Sequence, residues 1–67
     1  MFKAYVKFEF QGTERELRVF PRSKKTTFFK STEAAIKALE TKTRMWKFNS
    51  FGRVTDKDGN FVTNIAL

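Results

Sequence analysis

Apolar and polar side chains alternate along the first ten residues of the chain. From Phe2 to Phe10 every even position is apolar, while the odd positions hold lysine, tyrosine and glutamate. A period of two predicts a β-strand with one face turned toward a core. Gly12 and Thr13 then interrupt the pattern, and a glycine at the first central position is typical of a type II′ turn. We therefore expect a β-hairpin from Met1 to Arg22.

A turn at Gly12-Thr13 also predicts how the two strands pair. It gathers the apolar residues on one face, with Phe10 opposite Arg15, Phe8 opposite Leu17 and Val6 opposite Val19. The same register pairs the other face as Lys3 with Arg22, Tyr5 with Phe20, Lys7 with Arg18 and Glu9 with Glu16. The hairpin is thus predicted to have an apolar face and a basic, aromatic face.

The segment after this hairpin contains a proline and a basic turn. Pro21 lacks an amide donor and ends regular pairing, and the turn runs from Arg22 to Lys25. Thr26 to Phe29 is β-prone and forms either a short extra strand or a loop. The predicted sheet therefore has four or five strands.

A helix is predicted from Thr32 to Lys42. Ser31 or Thr32 is a favourable N-cap, and Glu33 suits the positive end of the helix dipole. A stripe of small and aliphatic residues faces the core, namely Ala34, Ala35, Ile36, Ala38 and Leu39. The outward side mixes acidic and basic residues, namely Glu33, Lys37, Glu40 and Lys42. Because such a mixture repels phosphate as much as it attracts it, we interpret the helix as scaffold.

A second hairpin is predicted in the last third of the chain. Its first strand extends from Arg44 to Thr55 and carries apolar residues at Trp46, Phe48 and Val54. A four-residue turn at Asp56–Gly59 follows. The resulting pairs are Thr55 with Asn60, Val54 with Phe61, Gly52 with Thr63, Ser50 with Ile65 and Phe48 with Leu67. We expect Gly52 to mark a β-bulge.

These elements predict one α+β domain over residues 1–67, an antiparallel sheet of four or five strands with one helix on one face, in the order ββ(β)αββ. The chain has no cysteine and no histidine. This composition excludes disulfides and thiolate sites and removes the commonest general base, so neither an enzyme nor a cofactor is expected. The Asp56–Gly59 stretch resembles the start of a calcium loop, but position 65, where that loop needs an acid, is Ile65. We therefore predict no metal site.

The charge of the chain points to a polyanionic partner. Fourteen lysines and arginines oppose seven acidic residues, which gives a net charge of +7 and a pI near 10.2. One short helix covers only one side of a sheet, so the other side is left for solvent or a partner. By alternation that side displays Lys3, Tyr5, Lys7, Arg18, Phe20, Arg22, Met45, Lys47, Asn49, Phe51 and Arg53, diluted only by Glu9 and Glu16. Cations interleaved with rings on a sheet are typical of nucleic-acid binding.

Three other interpretations of this surface stay open. In the first, Tyr5 and Phe20 only stabilise the hairpin as a cross-strand pair, and the charges are solvated. The exposed rings of Phe20 and Phe51, with Met45, would also suit a dimer interface. Finally, the same charges and aromatic anchors fit a binding or inhibitor module that docks on an acidic protein.

The run from Arg22 to Leu39, a basic turn followed by Phe28, Phe29, a Ser-Thr cap and an alanine-rich helix, resembles one part of a known family. It is similar to the strand-to-helix junction of the AP2-like DNA-binding domains of phage and transposon integrases. The resemblance implies that a sheet, not the helix, contacts DNA. It also implies that Arg18, Arg22, Lys24 and Lys25 lie on or beside that sheet. This chain adds two predicted strands after the helix.

We therefore predict a small nucleic-acid-binding protein in which DNA is favoured over RNA. The residues expected to contact the nucleic acid are Lys3, Tyr5, Lys7, Arg18, Phe20, Arg22, Lys24, Lys25, Lys47, Phe51 and Arg53. The small size suggests an accessory factor of a phage, plasmid or transposon, present as a monomer or homodimer. The longest apolar runs span no membrane and form no signal peptide, so a cytoplasmic protein is expected.

Overall fold

The computed structural model of the chain describes residues 1–22, 26–44, 46 and 49–67. Within them lie β1 (Phe2–Phe10), β2 (Thr13–Val19), α1 (Thr32–Thr43), β3 (Ser50–Asp56) and β4 (Phe61–Ala66). The strands form an antiparallel sheet in the order β2-β1-β3-β4, and α1 packs against one of its faces. The predicted α+β fold of order ββαββ is confirmed, with four strands in the described part of the chain.

The first hairpin forms as predicted, but its turn lies one residue earlier. Ala4 faces Val19, Val6 faces Leu17 and Phe8 faces Arg15, so the strand pairing is shifted by two positions. The loop residues are Gln11 and Gly12, with φ of 53° and 78°. Positive φ at both positions is the signature of a type I′ turn, which matches strand twist as well as type II′ does. The predicted type II′ turn was therefore wrong.

A shift of two residues keeps each side chain on its predicted face but changes its neighbours. On the face away from the helix, Tyr5 lies opposite Arg18 rather than Phe20, and Lys7 lies opposite Glu16 rather than Arg18. Glu9 lies opposite Glu14 rather than Glu16, and Lys3 has no partner in β2, which ends at Val19. The apolar face is preserved because the period of a strand is two.

The second hairpin begins later than predicted and contains a bulge. The helix continues through Arg44 as its C-cap, and β3 starts only at Ser50. Gly52 pairs with Ile65 and Val54 with Thr63, two positions away from the predicted register. Between Val54 and Thr55 the register changes, and Phe61 comes to lie opposite Thr55. Phe61, predicted to face the core beside Val54, is therefore 66% exposed.

The segment from Thr26 to Phe29 contributes one bridge and no regular strand. Two backbone hydrogen bonds join Phe2 and Phe29, at 2.9 and 2.8 Å, and form an isolated antiparallel bridge. This contact lies beside β1 just beyond the place where β2 ends. Phe29 is thereby buried in the core.

Helix α1 extends one residue beyond its predicted end. Its N-cap is Ser31, whose Oγ accepts a hydrogen bond of 3.1 Å from the backbone N–H of Ala34. Within the stripe, Ala35 and Leu39 are fully buried, Ile36 and Ala38 are partly buried, and Ala34 is exposed, contrary to prediction. The buried core comprises Ala4, Val6, Val19, Phe29, Ala35, Leu39 and Val54.

Gly52 brings helix and sheet close together. A Cβ at this position would lie 2.7 Å from Ile65 Cγ1 and 2.9 Å from Leu39 Cδ1. Since carbon atoms in contact are separated by about 3.5–4.0 Å, an added Cβ would require the side chains of Ile65 and Leu39 to shift. The expected role of Gly52 as a bulge was wrong, because the bulge lies at Val54/Thr55 and the glycine serves packing.

Candidate nucleic-acid interface

The sheet face away from α1, here called the open face, carries a central row of one ring between two arginines. Tyr5 of β1 has Arg18 of β2 as its partner on one side and Arg53 of β3 on the other. The next row sets Lys7 between Glu16 and Phe51. Cross-strand partners share a face, so these six side chains lie together.

Arg53 is held by two interactions on this face. Its guanidinium carbon lies 4.7 Å from the centre of the Tyr5 ring, and its Nη2 forms an ion pair of 3.0 Å with Glu16 Oε1. Both partners are partly exposed, so the pair is weak in stability terms. The Glu16 carboxylate nevertheless occupies Arg53, which was predicted to bind phosphate, and Arg53 in turn covers the Tyr5 ring, which was predicted to stack on a base.

Arg18 is positioned by the segment that follows the first hairpin. Its Nη2 donates a hydrogen bond of 2.9 Å to the carbonyl oxygen of Thr27. Its guanidinium carbon also lies 4.8 Å from the centre of the Phe20 ring and 5.6 Å from that of Phe28. Phe28 was missing from the predicted site, since its proximity depends on the Phe2–Phe29 bridge rather than on any local pattern. None of these partners of Arg18 is acidic.

The open face is acidic toward the tip of the first hairpin. Glu9 and Glu14 face each other there, and Glu16 follows on β2. Lys7 Nζ lies 3.2 Å from Glu14 Oε1. Glu14 was not among the residues predicted for this face, because the predicted turn placed it beside the loop, opposite Gln11. We call Glu9, Glu14 and Glu16 the acidic end of the open face.

The other end of the sheet, where β1 and β4 begin, collects cations and exposed rings. Lys3 lies in the row of Thr55 and Phe61, and Arg22 is exposed beyond the end of β2. Phe20 and Phe61 are 54% and 66% exposed. We call Lys3, Arg18, Phe20, Arg22 and Phe61 the basic end.

Two aspartates lie in the turn of the second hairpin, close to the basic end, and one of them is directed into that turn. The Asp56 carboxylate accepts hydrogen bonds from the backbone N–H groups of Asn60 and Asp58, both at 2.9 Å, and from Asn60 Nδ2 at 3.1 Å. The backbone and side chain of Asn60 together lower the pKa of Asp56 below its ordinary value. The ionised Asp56 carboxylate therefore stabilises the turn.

A shallow depression on the sheet has a balanced charge. It has a volume of about 340 Å³, and its lining includes Lys7 and Arg53 but also Glu9 and Glu14. Phe51, 62% exposed, lies at its rim. A polyanion gains little from such a surface, since two carboxylates oppose two cations.

A second groove runs between the end of β2 and the outer side of α1. Its volume is about 530 Å³, and three cations, Arg22, Lys37 and Lys42, stand among its lining residues. The remaining lining is Val19, Phe20, Pro21, Phe29, Ala34, Ala38 and Thr41. This groove was not anticipated, because Ala34 and Ala38 were expected to pack fully against the sheet.

The structure thus divides the predicted site. Arg18 and Lys3 lie toward one end of the open face, and Phe20 and Arg22 follow the end of β2, where they also line the groove beside α1. Lys7 and Arg53 each have a glutamate partner. Tyr5 is half-buried beneath Arg53, and Phe51 stands apart beside the depression. Lys24, Lys25 and Lys47 lie outside the described residues, as do Met45 and Phe48.

Neither a metal-binding cluster nor a membrane-spanning helix is found among the described residues. They contain no group of three or more acidic, histidine or cysteine residues arranged to hold a metal ion. In the same part of the chain, no helix is long and apolar enough to cross a bilayer. Comparison of the chain with protein-family models, with curated proteins and with solved structures found no match. The assignment of function therefore depends on the geometry of the surface.

Proposed function

We propose that this protein binds nucleic acid through the basic end of the open face. The observation that carries the proposal is the separation of charge on that face. The acidic residues of that face, Glu9, Glu14 and Glu16, lie toward the hairpin tip, whereas Lys3 and Arg18 lie toward the other end and Arg22 follows the end of β2. A surface polarised in this way orients a polyanion before contact and concentrates it at one end.

The cations of the basic end have a role in phosphate binding. Lys3 and Arg22 neutralise phosphates, which releases counterions and makes binding salt-dependent. Arg18 is oriented by the Thr27 carbonyl and by two rings, so less side-chain freedom is lost when it meets a phosphate. Lys7 and Arg53, with their glutamate partners, contribute less than the sequence alone suggested.

The rings favour a single strand with unpaired bases. Phe20 and Phe61 are each more than half exposed beside these cations. An aromatic ring on a sheet stacks on a base that is not already paired, with about 1–3 kcal/mol per base. We propose single-stranded DNA as the preferred ligand, with double-stranded DNA and RNA as the comparisons that test it.

The test is a fluorescence-anisotropy titration with labelled single-stranded DNA, double-stranded DNA and RNA at about 50 and 200 mM salt. Two matched pairs of variants test the contribution of Phe20 and Arg22: Arg22→Gln against Arg15→Gln, and Phe20→Leu against Phe10→Leu. Arg15 and Phe10 lie on the helix side of the hairpin, with the guanidinium of Arg15 6.0 Å from the Phe10 ring centre. Within each pair the two variants carry the same substitution and the same change in net charge, so only the position differs.

We expect Arg22→Gln to reduce the slope of log affinity against log salt by about 0.7 for a single strand, and Arg15→Gln to leave it unchanged. Phe20→Leu should weaken binding about fivefold or more, and Phe10→Leu should not. Binding weaker than about 100 µM at the lower salt, or equal effects within each pair, would contradict the proposal.

The groove beside α1 favours a second candidate function, the docking of an acidic, partly apolar segment of another protein. Its lining combines three cations with apolar residues, and none of the described residues that line it is acidic. Lys3 lies outside this groove and Lys37 lies inside it. Lys3→Gln should therefore weaken only nucleic-acid binding, whereas an effect confined to Lys37→Gln would favour the protein partner.

A further inference from the structure

The two edges of the sheet differ in how they are protected. The sequence of β2 contains Glu14, Arg15, Glu16 and Arg18, so four of its seven residues are charged. The six residues of β4, Phe61 to Ala66, include no charged side chain and no proline. Natural proteins place charges or proline on an edge strand to prevent pairing with another chain. Only the β2 edge has that protection.

The free backbone groups of β4 can be identified from its pairing with β3. Leu67 donates its N–H to the carbonyl of Ser50 at 3.2 Å, so its backbone points toward β3. In an antiparallel ladder the direction alternates, so Ile65 also points toward β3, and Asn64 and Ala66 point away. The bulge lies before Thr63, so the stretch from Thr63 to Ala66 is regular. The backbone N–H and C=O groups of Asn64 and Ala66 are therefore available for pairing along the outer edge of β4.

We propose that β4 pairs with β4 of a second copy of this chain, in antiparallel orientation. In the register that uses the regular stretch, Asn64 lies opposite Ala66 of the second copy, and Ile65 meets its own counterpart. This arrangement forms about four backbone hydrogen bonds between the chains. A two-fold axis makes the edge complementary to itself, because Asn64 of each copy exchanges backbone hydrogen bonds with Ala66 of the other.

The distribution of charge makes a second copy an acceptable occupant despite the net charge of +7. In the sheet order β2-β1-β3-β4, Arg18 lies on the strand farthest from β4, and Arg22 follows that strand. Pairing through β4 separates the two β2 strands by seven strand spacings, about 34 Å. That distance exceeds the Debye length of about 10 Å at 0.1 M salt, so repulsion between these cations is screened.

The proposed dimer has a defined shape and strength. A two-fold axis perpendicular to the sheet gives eight strands, with both open faces on one side and both helices on the other. The edge of one short strand buries less than the roughly 1,200 Å² of a stable interface, so we expect a weak, concentration-dependent dimer. Because two cationic copies associate, added salt should strengthen the dimer, whereas it weakens nucleic-acid binding.

Analytical ultracentrifugation of the full chain tests this proposal, from about 10 µM to 1 mM, a range suited to weak association. The disrupting variant is Asn64→Lys/Ala66→Lys, which places two like charges on the edge. Its control is Glu14→Gln/Glu16→Gln, which raises the net charge by the same amount on the opposite edge. We expect the control to dimerise and the lysine variant to remain monomeric, with equal circular dichroism spectra.

A third variant, Asn64→Asp/Ala66→Lys, keeps the net charge and tests the register. Each carboxylate at position 64 then faces the ammonium at position 66 of the second copy, so we expect a tighter dimer than that of the unmodified chain. A chain that stays monomeric at 1 mM and high salt would overturn the proposal. So would a lysine variant that dimerises as well as its control. Neither result bears on nucleic-acid binding by the monomer.

Discussion

The two hairpins both join antiparallel strands, but they do so with different turns. The first closes with Gln11 and Gly12 in the left-handed region, at φ of 53° and 78°, and its ladder is unbroken. The second closes through a longer turn organised by the Asp56 carboxylate and contains a bulge between Val54 and Thr55. The alternation of side chains thus determines which face a residue occupies, and the turn determines which residue it meets.

This difference has direct consequences for the candidate site. In the first hairpin the turn moves pairing by two positions, which leaves every face intact and brings Glu14 beside Lys7. In the second, one extra residue in β4 takes Phe61 from the core face to the exposed end of the sheet. The register shift of two residues in the first hairpin changed which charges are neighbours. The single extra residue in β4 changed which side chain is exposed.

The largest effect is expected from Gly52, where the second hairpin meets the helix. Gly52→Ala places a methyl group near Ile65 and Leu39, at 2.7 and 2.9 Å. We expect a loss of about 1–3 kcal/mol in the free energy of unfolding, from overpacking. A thermal melt should show a drop of about 4–8 °C for each kcal/mol.

A double-mutant cycle separates overpacking from backbone effects at this position. Ile65→Ala removes the atom nearest to the added methyl group, so Gly52→Ala should destabilise that background less than it destabilises the unmodified chain. Additive losses would mean that the close contact with the Ile65 side chain is not what requires glycine here.

A smaller effect, a gain in the free energy of unfolding, is expected at the turn of the first hairpin. Gln11 has a φ of 53°, a region that is unfavourable for residues other than glycine. Gln11→Gly should therefore stabilise the protein by about 0.5–1 kcal/mol in urea unfolding. Thr13→Gly, two residues later in β2, should destabilise it by a similar amount. If both changes destabilise the protein, the type I′ turn is wrong.

The smallest effect concerns pH and the turn of the second hairpin. Hydrogen bonds from Asn60 lower the pKa of Asp56, so the carboxylate form is favoured by folding. Its contribution is present above the pKa of the unfolded chain and is lost as pH falls through the lower, folded value. NMR titration should place the Asp56 transition below the ordinary range, and Asp56→Asn should flatten the acid limb of stability. An Asp56 pKa in the ordinary range for aspartate would contradict the hydrogen bonds from Asn60.

The sequence predicted the features that depend on local pattern. The strand alternation, the Ser31 cap and the helix stripe each follow from residues within one element, and the structure agrees apart from Ala34 and the start of β3. Apart from the position and type of the first turn and the place of the bulge, the features it missed depend on contacts between elements. Arg18 meets Thr27 and Phe28 only because Phe29 bridges to Phe2, a contact that no periodicity encodes.

The location of the interface is tested most directly by a two-dimensional amide NMR titration with a short single-stranded DNA. We expect the largest shift changes at Lys3, Phe20, Arg22 and Phe61, with little change at Glu9 and Glu14. Changes confined to Lys37, Thr41 and Lys42 in the helix groove, or centred on the hairpin tip, would contradict the basic end as the nucleic-acid interface.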